Sequence, residues 1–209
     1  MKIALFGATG ATGQQFLTQA AAAGHDVTAV VRNPAALTDR SRVSVVVADV
    51  MAPDAIGPLV AGQDAVVTAI GPRRGSTPTA VQTESTASII TAMRRNGLRR
   101  LVVVSNSGMV TTGDGPVSRF VAKPILRRVL RHSWADMGRM EDVVRASELD
   151  WTILRPPMLT NGERTGIYRI ALDHNVRGGI QVSRADLADA ILRSLADSAF
   201  IHATVSIAN

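Results

Sequence analysis

Residues 2–13 read K-I-A-L-F-G-A-T-G-A-T-G, a short strand-forming run that passes straight into glycines at 7, 10 and 13. The pattern predicts a buried strand at Lys2 to Phe6 and a helix from Thr12 to Ala23. Gly7-Ala8-Thr9-Gly10-Ala11-Thr12-Gly13 then forms the turn between them. A strand that feeds a helix through such a turn offers free backbone N–H groups at the helix amino terminus. With no Cβ in the way, a ligand can approach the backbone closely. A pyrophosphate needs both features, so the loop reads as a dinucleotide-binding turn, with Thr9 and Thr12 adding hydroxyl donors. A tight turn without a ligand is the plain alternative, and the position of the triplet at the head of the chain argues against it.

Outward from that loop, short β-branched runs alternate with stretches of helical spacing. Further strands are expected at Val27 to Val31, Val43 to Val47, Ala65 to Ala69, Leu101 to Val104, Trp151 to Leu154 and Thr204 to Ile207. Their continuous apolar character predicts that both faces are covered. Helices fit Ala52 to Ala61, Thr79 to Asn96, Ser133 to Ser147 and Arg184 to Ala196. Gly24 and Gly97 are placed as carboxyl-terminal caps and Pro53 lies in a first turn. The expected fold class is α/β: a single Rossmann-like, doubly wound domain over residues 1–209 with a mainly parallel central sheet, its carboxyl-terminal part completing the substrate side. Asn106 to His132 reads as a mobile loop leading into an extra helix.

The 209 residues can bury a full-sized core. With no cysteine, a disulfide scaffold, a thiolate nucleophile and Cys-held metal clusters are all excluded. The four histidines are scattered without ligand spacing, so no metal site is expected. No run of about 18 apolar residues exists to span a bilayer and no secretion-signal pattern opens the chain, so a cytoplasmic location is expected. The net charge is +6, and 21 of the 23 basic residues are arginine. This excess calls for an anionic partner at a few positions; most of the other arginines read as a solvated surface bias.

Arg32 falls at the end of the second strand, nineteen residues after Gly13, where NAD-preferring sites place an acid for the ribose 2′-OH. A guanidinium there pairs with a 2′-phosphate, so NADPH (NADP) is the expected cofactor. A solvated arginine is the other reading. In an open parallel sheet the substrate lies outside the carboxyl ends of the strands. Ile70-Gly71, Ser105-Asn106-Ser107 and Arg155-Pro156-Pro157-Met158 end the fourth, fifth and sixth strands and are expected to frame the nicotinamide.

The G-A-T-G-x-x-G spacing resembles the extended and atypical short-chain dehydrogenase/reductases. Val27 to Leu37, Ala48-Asp49-Val50, Ala61 to Gly71 and Leu149 to Pro157 are similar to segments of the biliverdin reductase B and flavin reductase group and its NmrA-like relatives. The resemblance implies that Asp49-Val50 contacts adenine and that Ala69-Ile70-Gly71 lies over the nicotinamide ribose and phosphates. It also makes Arg73 a second phosphate partner. The usual Tyr-x-x-x-Lys dyad is absent; Ser133 and Met137 stand at its two positions. The resembled reductases work without it, passing hydride to a conjugated acceptor. Their functional serine corresponds to Ser107, which is either a substrate contact and catalytic candidate or a loop cap. Their histidine corresponds to Met158, an apolar wall that moves no proton. The expectation is an NADPH-dependent reductase of a small flavin, quinone or similar acceptor, monomeric or homodimeric, with no nucleic-acid partner. A non-catalytic NmrA-like sensor of NADP(H) is the alternative.

Two features stand apart. Asp136, Arg139, Glu141 and Asp142 read as the solvated face of a helix. Arg119, Lys123, Arg127, Arg128 and Arg131 interleave with apolar residues, which fits a flap or interface element, a solvated face, or contact with a membrane or nucleic acid.

Overall fold

The computed structural model describes residues 1–37, 43–71 and 77–209. Eight strands form one sheet in the order β3-β2-β1-β4-β5-β6-β10-β8, built from β1 (Lys2–Phe6), β2 (Asp26–Val31), β3 (Val43–Val47), β4 (Ala65–Thr68), β5 (Arg100–Val104), β6 (Asp150–Arg155), β8 (Arg169–Leu172) and β10 (Ala203–Ala208). Every pairing in it is parallel except that of β8 with β10. Strand order reverses beside β1, whose Phe6 lies opposite both Val30 and Thr68. The carboxyl ends of β1, β2 and β4 therefore meet at the turn that holds the glycines.

Side chains alternate across the sheet, and each face has its own core. Ile3 and Leu5 pack with Phe16 and Leu17 of α1 (Ala11–Ala22) and with Leu187 and Ile191 of α6 (Arg184–Ala196). Ala4 and Phe6 face the other way, onto Ile56 of α2 (Pro53–Val60), Ile89 and Met93 of α3 (Val81–Arg95), and Met137 and Met140 of α5 (Arg131–Arg145). Helices thus cover both faces, as the doubly wound pattern requires.

The structure departs from the sequence reading in several places. β3 is an edge strand, and its residues are at best half-buried rather than covered on both faces. Three short strands were not foreseen: β8, and the separate parallel pair β7 (Met158–Thr160) and β9 (Gln181–Ser183). The extra helix after β5 exists: a π-helical turn at Ser118–Ala122 runs into α4 (Lys123–Val129). The segment before it is tied down rather than free. Lys123 Nζ donates to the carbonyls of Ser107 (2.8 Å) and Val110 and pairs with Asp114 at 2.6 Å. Asn175 Nδ2 donates to the same two carbonyls and to Asp114 Oδ1.

Candidate functional site

The three glycines of the first turn have different reasons to be glycine. A Cβ on Gly7, whose φ is +84°, would lie 2.5 Å from the carbonyl carbon of Ala69, so the turn presses directly on the chain leaving β4. A Cβ on Gly13 would run into the Gly7 carbonyl and the Ala8 backbone. Gly10 is less constrained: its Cβ would meet only the Gly7 oxygen, at 3.3 Å, a tight contact that a shift of a few tenths of an ångström relieves. Gly10 is also exposed and is the N-cap of α1, where no side chain caps the helix. Two glycines close the fold, and the third leaves open space above uncapped amides.

Around this turn the strand ends bring together the other residues singled out from the sequence. Arg32 is exposed immediately after β2. Ala48 N donates to the Val31 carbonyl, which sets Asp49 and Val50 beside it; Asp49 is exposed and accepts from Met51 N. Ala69 N donates to the Phe6 carbonyl, continuing the β1–β4 pairing into the turn. Arg73 lies outside the described residues. On the far side, Ser107 N donates to the Pro156 carbonyl at 2.9 Å, joining the ends of β5 and β6. Asn106 Oδ1 accepts from Gly108 N, while the Ser107 hydroxyl makes no hydrogen bond among the described residues. Pro156 is buried, Pro157 is half-buried and Met158 is 62% exposed.

Of the four residues expected on a solvated face of α5, Arg139 and Asp142 are exposed, but Asp136 and Glu141 are instead buried supports of these strand ends. Asp136 is 0% exposed and caps α3, accepting from the backbone N–H groups of Gln82 (3.0 Å) and Thr83 (3.1 Å) and from the Thr83 hydroxyl (2.6 Å). Gln82 Nε2 in turn donates to the Ile70 carbonyl, fixing the chain after β4. Glu141, 2% exposed, accepts from Ser105 Oγ at 2.5 Å, from Arg155 Nε and Nη2 at 2.9 and 2.5 Å, and from Arg145 Nη2 at 2.9 Å. Burial pushes its carboxyl up, but the bonds from Arg155, Ser105 and Arg145 together with the Arg155 charge outweigh it and hold the group below its ordinary value.

The arginine surplus is only partly a surface bias. Arg155 is buried on Glu141. Arg100 donates to the carbonyls of Asp150 and Ser194 and to Thr152 Oγ1, and burial lowers its pKa. Sequence reasoning also missed Trp134. Its ring occupies the space a Gly108 side chain would need, one residue from Ser107. Tyr168 stands elsewhere: its hydroxyl donates to Asp189 at 2.7 Å, and it lines a 420 Å³ cavity with Ile170 and Phe200. Burial, then the Asp189 bond, pushes its pKa up.

Comparison with known proteins agrees with this geometry. The YwnB protein of Bacillus subtilis is 30% identical over 203 residues, covering 93% of this chain and 92% of its own. A crystal structure from Burkholderia pseudomallei superposes with a TM-score of 0.84 at 29% identity, covering the whole of both chains. A short-chain dehydrogenase/reductase from Veillonella parvula in complex with NADP superposes with a TM-score of 0.81 at 22% identity, covering 100% of this chain and 94% of its own. The model of the NAD(P)H-binding family matches residues 7–198, from the first glycine of the turn to beyond α6. The chain therefore belongs to the NAD(P)H-binding family.

Proposed function

We propose that the chain is an NADPH-dependent reductase that delivers hydride to a flavin, quinone or similar conjugated acceptor. The observation that carries this reading is the turn at residues 7–13, where Gly10 alone has space over the uncapped amides of α1. The NADP held by the similarly folded Veillonella protein supports the same cofactor class. When bound, NADPH supplies a hydride, and the acceptor takes it up together with a proton from water.

In this reading the backbone of Gly7, Thr9, Gly10, Ala11, Thr12 and Gly13 receives the pyrophosphate, and Arg32 pairs with the 2′-phosphate. Asp49 and Val50 border the adenine. Ala69, Ile70 and Gly71 line the nicotinamide ribose, with Arg73 assigned to phosphate on the sequence alone. Ser105, Asn106, Pro156, Pro157 and Met158 frame the nicotinamide. Ser107 is the catalytic candidate, since its unengaged hydroxyl is available to an acceptor carbonyl. Trp134 and Met158 give that acceptor apolar surfaces. Hydride transfer between two planar partners asks the protein chiefly for orientation, and the buried supports at Asp136 and Glu141 serve that need.

The test is to follow NADPH absorbance against FMN, riboflavin, a set of quinones and biliverdin, beside titrations with NADPH and NADH. The expected result is turnover with at least one acceptor and tighter binding of NADPH than NADH. Met137, buried at the dyad lysine position, favours the second reading, an NADP(H) sensor without catalysis. Tight NADPH binding with no turnover on any acceptor would assign the chain to that class.

A further inference from the structure

From Arg119 to Arg131 every residue is exposed except Lys123. Ile125 (61% exposed), Leu126 and Val129 (68%) fall at i, i+1 and i+4, which places them on one stripe of α4, and exposed Leu130 follows at its end. Arg127 and Arg128 fall on the opposite side of α4, and Arg131 opens α5. Val117, Phe120 and Val121 add exposed apolar side chains in the preceding turns. An apolar stripe left open to water and backed by cations is a docking face. Between Gly115 and Ala135 there is no acidic residue, and the acids on either side are engaged: Asp114 is paired with Lys123, and Asp136 caps α3.

We infer that α4 and the turn before it dock on an anionic lipid surface. Hydrocarbon accepts the stripe and lipid phosphates accept the guanidinium groups, whose long stems let the charge reach back to the headgroups. A second copy of the chain fits less well. Such a copy brings the same arginines to the face, and no acidic residue between positions 115 and 135 meets them. Lys123, beneath the stripe, binds the Ser107 and Val110 carbonyls, so docking brings the end of β5 to the lipid surface. This inference does not depend on the cofactor or the acceptor.

Flotation of the full chain with phosphatidylcholine vesicles, with and without phosphatidylglycerol, tests it. Binding is expected only when phosphatidylglycerol is present. Ile125→Ser/Val129→Ser should abolish it at constant charge. Arg127→Glu/Arg128→Glu should weaken it by about 25-fold or more, since each surface arginine contributes about fivefold. Arg95→Glu/Arg177→Glu makes the same charge change on other exposed arginines and should leave most of the affinity. The inference is overturned if the stripe variant binds like the parent, or if the control pair weakens binding as much as Arg127→Glu/Arg128→Glu does, because net charge alone then explains the attraction. It is equally overturned if the chain ignores anionic vesicles. In that case, a dimer that Ile125→Ser/Val129→Ser converts to monomer would assign the stripe to self-association, and binding to polyglutamate would assign the arginines to an acidic protein. Thermal melts of the three variants, all at exposed positions, confirm that each is folded.

Discussion

Replacing Glu141 by Gln removes one charge and almost no volume from the junction of β5, β6 and α5. The carboxylate receives two bonds from Arg155, one from Ser105 and one from Arg145. Arg145 is part-exposed and can turn to water, whereas the Arg155 side chain is 7% exposed and cannot. The variant therefore holds a buried guanidinium without its counter-charge, a change that costs about 3–5 kcal/mol. Against a total stability of about 5–15 kcal/mol this is a large fraction. In a chain of this length it corresponds to a fall in Tm of roughly 6–20 °C. Thermal and urea unfolding at neutral pH measure it directly. Glu141→Gln/Arg155→Met should regain most of the loss, because neither charge then remains. The same carboxyl also sets an acid limb. Its folded pKa lies below the unfolded value of about 4.3, so its contribution is complete above that pH and disappears as pH falls through the folded value. The gap between parent and Glu141→Gln should accordingly close at low pH. A loss below about 1 kcal/mol at pH 7, or a double variant no more stable than the single one, would refute the assignment of Glu141 and Arg155 as a mutually dependent buried pair.

The two kinds of glycine in the first turn can be told apart by substitution. Gly10→Ala should unfold within about 1 kcal/mol of the parent, the usual cost of losing a favoured N-cap residue, and yet lose NADPH binding in a fluorescence titration. Gly13→Ala, which drives a methyl into the Gly7 carbonyl, should fail in the unfolding experiment itself. Arg32→Asp should lower NADPH affinity more than 10-fold, the equivalent of about 1.5–3 kcal/mol for hydrogen bonds to a charged group, with little change for NADH. An unchanged ratio of the two affinities would remove Arg32 from the 2′-phosphate. Lys123→Met should destabilise by about 3 kcal/mol because it leaves the Asp114 carboxylate buried without its cation, and urea titration at neutral pH reads the loss.

What the sequence made legible follows the physics of its signals. Strands β1, β2, β4, β5 and β6 were placed within about two residues because continuous apolar runs bounded by glycine, proline or polar residues carry their own limits. The glycine turn was legible because its spacing is local. β7 and β9 were not, since three-residue strands give no periodicity to read. β3 misled because an apolar run does not state whether its strand is central or at an edge. Asp136 and Glu141 misled for a different reason. Met137, Met140 and Val144 mark the buried stripe of α5, and helical spacing puts Asp136 and Glu141 on its two borders. That placement was a usable signal of burial. Their partners, Gln82, Thr83, Ser105 and Arg155, come from distant elements, so the reason for burying a charge there appears only in three dimensions.

The supports share one arrangement. Asp136 holds the amino end of α3, and through Gln82 the chain after β4. Glu141 holds the ends of β5 and β6 together through Ser105 and Arg155. Lys123 and Asn175 hold the carbonyls of Ser107 and Val110. The charged groups among them, Asp136, Glu141, Arg155 and Lys123, are buried and engaged by protein, so none of them is available as an acid or base for a ligand. In the proposed reading, the rim left for the acceptor among the described residues is chemically mild: a hydroxyl at Ser107, a thioether at Met158, an indole at Trp134 and backbone amides. A site that spends its ionisable groups on rigid strand ends and offers planar, apolar and weakly polar surfaces suits a reaction limited by alignment rather than by proton transfer. Hydride transfer to a conjugated acceptor is such a reaction, whereas oxidation of an unactivated alcohol needs a base that this rim does not present.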